Sequence, residues 1–268
     1  MAVGEIILKT EEEIELIRES SLLVGKTLGL VSQHIAPGAN TLKLDSLAEE
    51  FIRDNGGIPA FKNYQSSPDS DPFPFSLCIS INEEVVHGMA GENKHLEAGD
   101  IVSVDCGVLM NGFFGDSAYT FGVGQVNSKK QRLMKVTEAS LYKGLQVAKD
   151  GATIGDLSNA IQQHAELHGY SIVREMVGHG IGRSLHEPPE VPNFGRRRSG
   201  LKLKEGMVIA VEPMVNLGKR RIKFSDDGWT VLTSDNLPSA HYEHTVVIRK
   251  DSCEILSSHE YIIKNNAG

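Results

Sequence analysis

The feature that most restricts the fold of this chain is a weak repeat between its two halves. Residues 96–105 (LEAGDIVSVD) align with residues 203–212 (LKEGMVIAVE), an offset of 107 residues. Apolar positions coincide, and each segment ends in a carboxylate. Upstream, an offset of 112 residues matches Thr41 with Thr153, Ala48 with Ala160 and Gly57 with Gly169. The repeat predicts a pseudo-twofold α+β domain in which helix pairs cover a curved antiparallel sheet.

Helix and strand patterns follow the same order in both halves. Thr10 and Glu13 form a capping box before a helical apolar pattern that stops at residues 37–38. A second helix is predicted from Thr41 to residues 56–57. The remaining predictions are strands at 77–81, 101–105 and 118–121, helices from Ser128 and Thr153, and strands at 208–211, 229–232 and 243–248. We therefore expect one catalytic domain, 1–268, with pseudo-symmetric halves at about 10–125 and 126–250.

Charge and cysteine content exclude several classes of protein. The net charge of −8 argues against a DNA-binding protein that neutralises phosphates. Three widely spaced cysteines form neither a disulfide framework nor a thiolate zinc site. We see no signal peptide and no apolar run long enough to span a bilayer. These features predict a cytoplasmic protein that does not bind membranes, and we expect a monomer.

Acidic residues lie beside apolar strand residues in both halves. Asp105 and Glu212 each end a predicted apolar strand, and Glu243 precedes another. A turn within 111–116 would bring Asp116 back beside Asp105. Carboxylates are rarely buried unless they are paired or bound to a metal, so these acids indicate a cation site. Each acid taken alone also fits an ordinary turn residue.

A histidine-containing segment at 178–189 has glycines and prolines that argue against a helix. His186 and Glu187 therefore do not begin a helical HExxH zinc motif. The glycines around His179 would instead allow a close approach of neighbouring backbone, which suits a site.

Six segments together resemble type I methionine aminopeptidases, in the order typical of that family. They are NEEVVHG (82–88), VDCG (104–107), GDSA (115–118), GHGIG (178–182), EPM (212–214) and YEHT (242–245). The resemblance runs from about Lys9 to Ile248. It implies the pita-bread fold, which agrees with the duplication.

The resemblance implies five metal ligands, with Asp116 and Glu243 bridging two divalent ions. The ligands are Asp105, Asp116, His179, Glu212 and Glu243. Four carboxylates and one imidazole suit hard or borderline cations, and two cations would balance the charge. Cobalt, manganese, iron and zinc all fit this ligand set.

The resemblance also implies the reaction. A metal-activated hydroxide would attack the scissile carbonyl, with Glu212 as proton shuttle, His87 near the amide nitrogen and His186 as donor to the carbonyl oxygen. The expected function is removal of the initiator methionine from nascent polypeptides, with a small second residue preferred. A transient association with the ribosome is also implied.

The implied methionine pocket is apolar, and His87 and His186 complete its substrate contacts. Its walls are Tyr64, Phe73, Cys78 and Trp229. Leu185 stands where the family pattern has an aromatic residue, and the chain around 66–72 is longer than that pattern. We expect this loop to shape access to the pocket without joining the chemistry.

Two alternatives remain open. An X-Pro peptidase would share the fold, but such enzymes usually carry an extra N-terminal domain, for which 268 residues leave no room. A non-enzymatic relative that binds RNA or ribosomes would be basic and would lack metal ligands. The intact ligand set and the net charge of −8 favour the enzyme.

Overall fold

The computed structural model describes residues 5–68 and 70–263, which form four helices and fifteen strands. The helices are α1 (Glu11–Ser32), α2 (Thr41–Asp54), α3 (Ser128–Leu145) and α4 (Ile154–Leu167). The first-half strands are β1 (Ile58–Pro59), β2 (Leu77–Ile81), β3 (Glu84–Val86), β4 (Ile101–Met110) and β5 (Phe113–Gly122). The second-half strands are β6 (Ser171–Ile172), β7 (Gly178–Gly180), β8 (Glu187–Val191), β9 (Val208–Val211), β10 (Met214–Asn216), β11 (Ile222–Phe224), β12 (Val231–Thr233), β13 (Ser239–His241), β14 (His244–Ile248) and β15 (Cys253–Ile255). Across these described residues, every helix is too short or too polar to cross a membrane.

The helix starts agree with the capping patterns in the sequence. Thr10 and Glu13 exchange both hydrogen bonds of the predicted capping box at α1. Thr153 caps α4 in the same way with Asp156. Helix α3 begins at Ser128 as predicted, but its capping residue is Asn127, whose side chain accepts from the Lys130 amide.

The strand at 101–105 is longer than predicted and continues to Met110 as β4. It forms a hairpin with β5 through the two-residue turn Asn111–Gly112, where both residues have positive φ. Asn-Gly favours this turn because both residues tolerate that conformation. Gly107 lies in the part of the strand beyond the predicted end. A Cβ there would lie 2.7 Å from the Phe61 ring, so the glycine makes room for packing.

Helix α1 packs against one face of the β4–β5 hairpin. A Cβ on Gly115 would lie 2.4 Å from the Ser21 amide nitrogen, so the helix backbone lies directly on this face. Successive strand residues point to opposite faces, and Asp116 therefore points away from α1. Helix α1 therefore covers one face of the hairpin, and the opposite face carries the Asp116 side chain.

The main sheet of the second half has the order β15-β14-β9-β7-β8, and its paired strands are antiparallel. Strands β7 and β8 were not predicted from the sequence, because their glycines and prolines obscure the alternation of apolar and polar residues that is typical of a strand. A Cβ on Gly178 or Gly180 would come within 2.3 Å of a carbonyl oxygen of β9 or of Pro188. The predicted close backbone approach around His179 is thus confirmed.

Hydrogen bonds join the two halves next to the acidic residues. The Glu243 amide donates to the Ala118 carbonyl at 3.0 Å, and Thr245 exchanges hydrogen bonds with the backbone of Asp116. A single apolar cluster contains residues from α1 to β14. The α+β architecture is confirmed, whereas the division into two symmetric halves remains a prediction.

Candidate metal centre and substrate pocket

Three of the predicted site residues share one face of the first-half sheet. In the register of β2, β4 and β5, Cys78 and Ala118 lie opposite Asp105, and Asp116 lies two residues from Ala118. Opposed residues and alternate residues point to the same side. The thiol and both carboxylates therefore face the cavity. Asp105 lies in the middle of β4, which corrects its predicted place at a strand end.

The second half contributes two carboxylates from adjacent strands. The pairing of His244 with Val211 places Glu243 and Glu212 opposite each other, one residue beyond the paired segment. The side chain of Asn193 donates to the Glu212 carbonyl at 3.0 Å. Ser117 donates to the Glu243 carbonyl at 2.6 Å. These contacts fix the backbone that carries both acids.

His179 faces the carboxylates from β7. Its Nδ1 lies 2.9 Å from its acceptor, the carbonyl oxygen of Gly180, so Nδ1 carries the proton. Nε2 is then left with a free lone pair, as in a metal ligand. Nε2 lies 3.6 Å from a Glu212 oxygen and 3.9 Å from an Asp116 oxygen. Burial, and then the neighbouring His186, lowers the pKa of His179 to about 3, which favours the neutral ring.

The acidic cluster fits divalent cations. Ligand atoms of Asp116, His179 and Glu243 all lie within 4.8 Å of one another. One buried oxygen on each of Asp105, Asp116 and Glu243 has no hydrogen-bond partner. Buried polar atoms normally have a hydrogen-bond partner or another ligand, so these oxygens fit the ligand positions of a cation.

The electrostatics of the cluster lead to the same conclusion. Burial raises the pKa of Asp105 to about 7. Burial, and then the neighbouring carboxylates, raises the pKa of Asp116, Glu212 and Glu243 well above the ordinary range. Carboxylates this close cannot all remain ionised without opposing positive charge, which divalent cations supply.

His87 follows β3 with a φ of 57°, a left-handed conformation that a residue with a side chain rarely adopts. Such conformations are concentrated at functional sites. Burial, and then the neighbouring His186, lowers the pKa of His87 to about 4, so the ring is neutral near pH 7. Its ring stands edge-on to Trp229, with the centroids 6.2 Å apart.

His186 lies at the cavity mouth, held by a tyrosine. The Tyr64 hydroxyl lies 2.6 Å from Nδ1 of His186. Burial raises the pKa of Tyr64 and lowers that of His186, which favours a neutral phenol that donates to a neutral ring. Because Nδ1 then accepts, Nε2 carries the ring proton. Tyr64 therefore contacts a predicted catalytic group besides lining the pocket.

One cavity of about 870 Å³ is bordered by every predicted site residue, from both halves. Phe73 and Trp229 pack edge to face there, with ring centroids 5.3 Å apart. Burial raises the pKa of the Cys78 thiol well above its usual range, so Cys78 acts as an apolar wall. Phe61, which the sequence analysis missed, also lines the cavity. Leu185 packs with this apolar cluster in the position where an aromatic residue was expected.

The predicted access loop, 66–72, borders the same cavity. Ser66 lines the cavity, and the Trp229 indole nitrogen donates to the Asp71 carbonyl at 3.2 Å. Asp69, within this loop, lies outside the described residues. The contacts place the loop at the rim, and its effect on access remains a prediction.

A third histidine near the acids was also missed. His241, with an exposed fraction of 1%, has its Nε2 buried, without a hydrogen-bond partner and 3.8 Å from a Glu212 oxygen. His241 precedes Glu243 by two residues, and residues two apart in an extended chain share a face. The two-residue spacing from Glu243 was the sequence signal that could have identified His241 as a residue of the site.

Comparisons with known proteins agree with this site. A model of metallopeptidase family M24 matches residues 15–250. A methionine aminopeptidase of Clostridium perfringens is 51% identical over 252 residues, which cover 94% of this chain and 98% of that protein.

Solved structures extend the comparison to the fold. A methionine aminopeptidase from Rickettsia prowazekii aligns with a TM-score of 0.91 and 42% identity, over 95% of this chain and 100% of that one. A prolidase from Pyrococcus furiosus shares the fold with a TM-score of 0.75 and 25% identity, over 95% of this chain and 66% of that one. Similarity to the methionine aminopeptidases is the greater in sequence and in structure. The chain belongs to metallopeptidase family M24 and, within it, to the methionine aminopeptidases.

Proposed function

We propose that this protein removes the N-terminal methionine from polypeptides by metal-dependent hydrolysis. The observation that carries this proposal is one cavity that joins the acidic cluster to an apolar wall containing Cys78 and the aromatic side chains of Phe61, Tyr64, Phe73 and Trp229. A thioether packs favourably against sulfur and aromatic faces. The cavity can therefore hold a methionine side chain next to the hydrolytic groups.

Asp105, Asp116, His179, Glu212 and Glu243 are proposed to hold two divalent cations. When bound, the cations would supply Lewis acidity and an anchor for the free amine of the substrate. This anchor explains why only N-terminal residues would be released. Four carboxylates and one imidazole accept manganese, iron, cobalt or zinc, and the supply of metal in the cell selects among them.

The chain's own groups are proposed to move the protons. Glu212 accepts a proton from the attacking water and returns it to the departing amine. His186, with its proton on Nε2, donates to the carbonyl oxygen as negative charge develops there. His87, neutral near pH 7, contacts the amide nitrogen of the scissile bond.

The same two histidines are proposed to limit the second residue of the substrate. His87 and His186 both border the cavity, and His186 lies close enough to His87 to help lower its pKa. A small second residue fits between these rings, whereas a branched or bulky one would displace them.

Peptide hydrolysis tests the proposal. The protein should release methionine from Met-Gly and Met-Ala peptides much faster than from Met-Leu, and should leave Ala-Pro peptides intact. Mass spectrometry of the products identifies the bond that is cut. Similar rates on Met-Ala and Met-Leu would refute the size limit, and cleavage of Ala-Pro would favour an X-Pro peptidase.

Transient ribosome binding, a monomeric state and a cytoplasmic location are further proposals. The substrate emerges from ribosomes in the cytoplasm, which is why an enzyme of this kind would act there. Co-sedimentation with ribosomes and gel filtration test the first two, and cell fractionation tests the third. Persistent dimers would contradict the monomer.

A further inference from the structure

A buried ion pair connects the segment before α1 to the turn that carries His186. The Lys9 ammonium lies 2.6 Å from one Glu187 carboxylate oxygen, and the two side chains are only 2% and 9% exposed. Glu187 directly follows His186 in the chain. Its other oxygen accepts from the Ser184 amide at 3.1 Å. The Glu187 carboxylate therefore binds Lys9 through one oxygen and the Ser184 amide through the other. This second contact connects the residues on the two sides of His186.

Gly182 makes room for the Lys9 side chain, and Gly206 binds the Lys9 backbone. A Cβ on Gly182 would lie 2.6 Å from the ammonium nitrogen and 2.8 Å from a Glu187 oxygen, so a side chain there would displace the ion pair. The Lys9 amide donates to the Gly206 carbonyl at 2.8 Å, just before β9. Lys9 thus lies between the turn at 182–187 and the strand that leads to Glu212.

A second contact attaches the same turn to α1. Arg183 lies over the Phe113 ring, 4.4 Å from its centroid, and pairs with Glu13 at 3.1 Å. The ion pair of Arg183 with Glu13 is more exposed than that of Lys9 with Glu187, and exposed ion pairs contribute little to stability. Lys9 and Glu187 form the buried connection, where removal of one partner leaves a desolvated charge.

We propose that Lys9 is a positioning residue that acts through Glu187 to hold His186 in its productive place. Without the ammonium, the carboxylate of Glu187 would turn toward water and draw the turn with it. His186 would then move with the turn, and its hydrogen bond to Tyr64 would weaken. Small displacements of a group that acts in the transition state reduce the rate strongly.

The first test compares Lys9→Met, Lys9→Arg and the control Arg18→Met. Arg18 pairs with Glu254 at 2.7 Å, and neither residue borders the cavity. On a Met-Ala peptide, Lys9→Met should lower kcat by about 10- to 100-fold. KM and bound metal should stay near the wild-type values. Lys9→Arg should recover most of the rate, and the control should be unaffected.

A double-mutant cycle then separates positioning from stability. In a His186→Ala background, Lys9→Met should cause no further loss of kcat, because the group that it positions is already absent. An equal loss with and without His186 would overturn the proposal. So would a lowered Tm with an unchanged kcat. Should Lys9→Met fail to fold, Gly182→Ala displaces the same ammonium and is expected to give the same loss of kcat and the same non-additivity.

Because this inference rests on the proposed function, one readout is independent of turnover. The ring ¹⁵N resonances of His186 in metal-free protein should shift in Lys9→Met and stay unchanged in Arg18→Met. Resonances that are unchanged in Lys9→Met would overturn the positioning role. A wild-type protein that releases no methionine would refute the proposed function, and the resonances would still test Lys9.

Discussion

Replacing Tyr64 by phenylalanine removes one hydroxyl and tests the assignment of the His186 proton. The hydroxyl donates to Nδ1 over 2.6 Å at a partly exposed position. A hydrogen bond of this kind contributes about 0.5–1.5 kcal/mol net, and exposure favours the lower half of that range. If the hydrogen bond contributes its full free energy to the transition state, kcat should fall by about two- to fivefold. KM should change little, because the ring that lines the pocket remains.

The assay is steady-state release of methionine from a Met-Ala peptide, with metal content measured on the same samples. Tyr261→Phe is the matched control, since that exposed tyrosine does not line the cavity. An unchanged kcat would refute a role for the hydroxyl in orienting His186. A loss greater than about 100-fold would also refute it, because a single positioning hydrogen bond cannot supply so much.

Four other changes have defined outcomes. Asp116→Ala should abolish both activity and metal binding while a folded domain survives; two bound metals with near-normal turnover would contradict this. His87→Ala should lower kcat by about 10²–10³ and leave metal occupancy nearly intact; loss of metal would make His87 a ligand. Trimming 66–72 to a short turn should change KM for peptides but not turnover of methionine amide; unchanged KM values would show that the loop is inert. Burial raises the pKa of Asp45 from 3.8 to about 6, so its stabilising effect is present below about pH 4 and is lost as the pH rises through 6. Relative to Asp45→Asn, the wild-type free energy of unfolding should therefore fall by about 2 kcal/mol between pH 4 and pH 7, and parallel urea-denaturation profiles would contradict it.

Local signals in the sequence identified much of the fold. The capping box at Thr10 and the break after α2 are short-range patterns, and the structure agrees with both. The end of β4 was placed at Asp105 instead of Met110, and Gly107 lies in the part of the strand that was left out. Its actual role is to admit Phe61, a contact that depends on residues far apart in the chain.

The same distinction between short-range sequence patterns and contacts of distant residues applies to the site. The acids were identifiable because carboxylates beside apolar strands are unusual. The ion pair between Lys9 and Glu187 joins residues 178 positions apart, so no local pattern could indicate it. Likewise, no local pattern indicates the left-handed backbone of His87, because residues other than glycine adopt a positive φ only uncommonly.

A metal titration with a simultaneous activity assay tests the central claim most directly. Protein stripped of metal should release no methionine from a Met-Ala peptide. Added manganese should restore release in step with binding to the Asp116 cluster, to two ions per chain, and Asp116→Ala should recover neither binding nor activity. Methionine release at full rate by the stripped protein, or two bound ions with no release, would contradict the account.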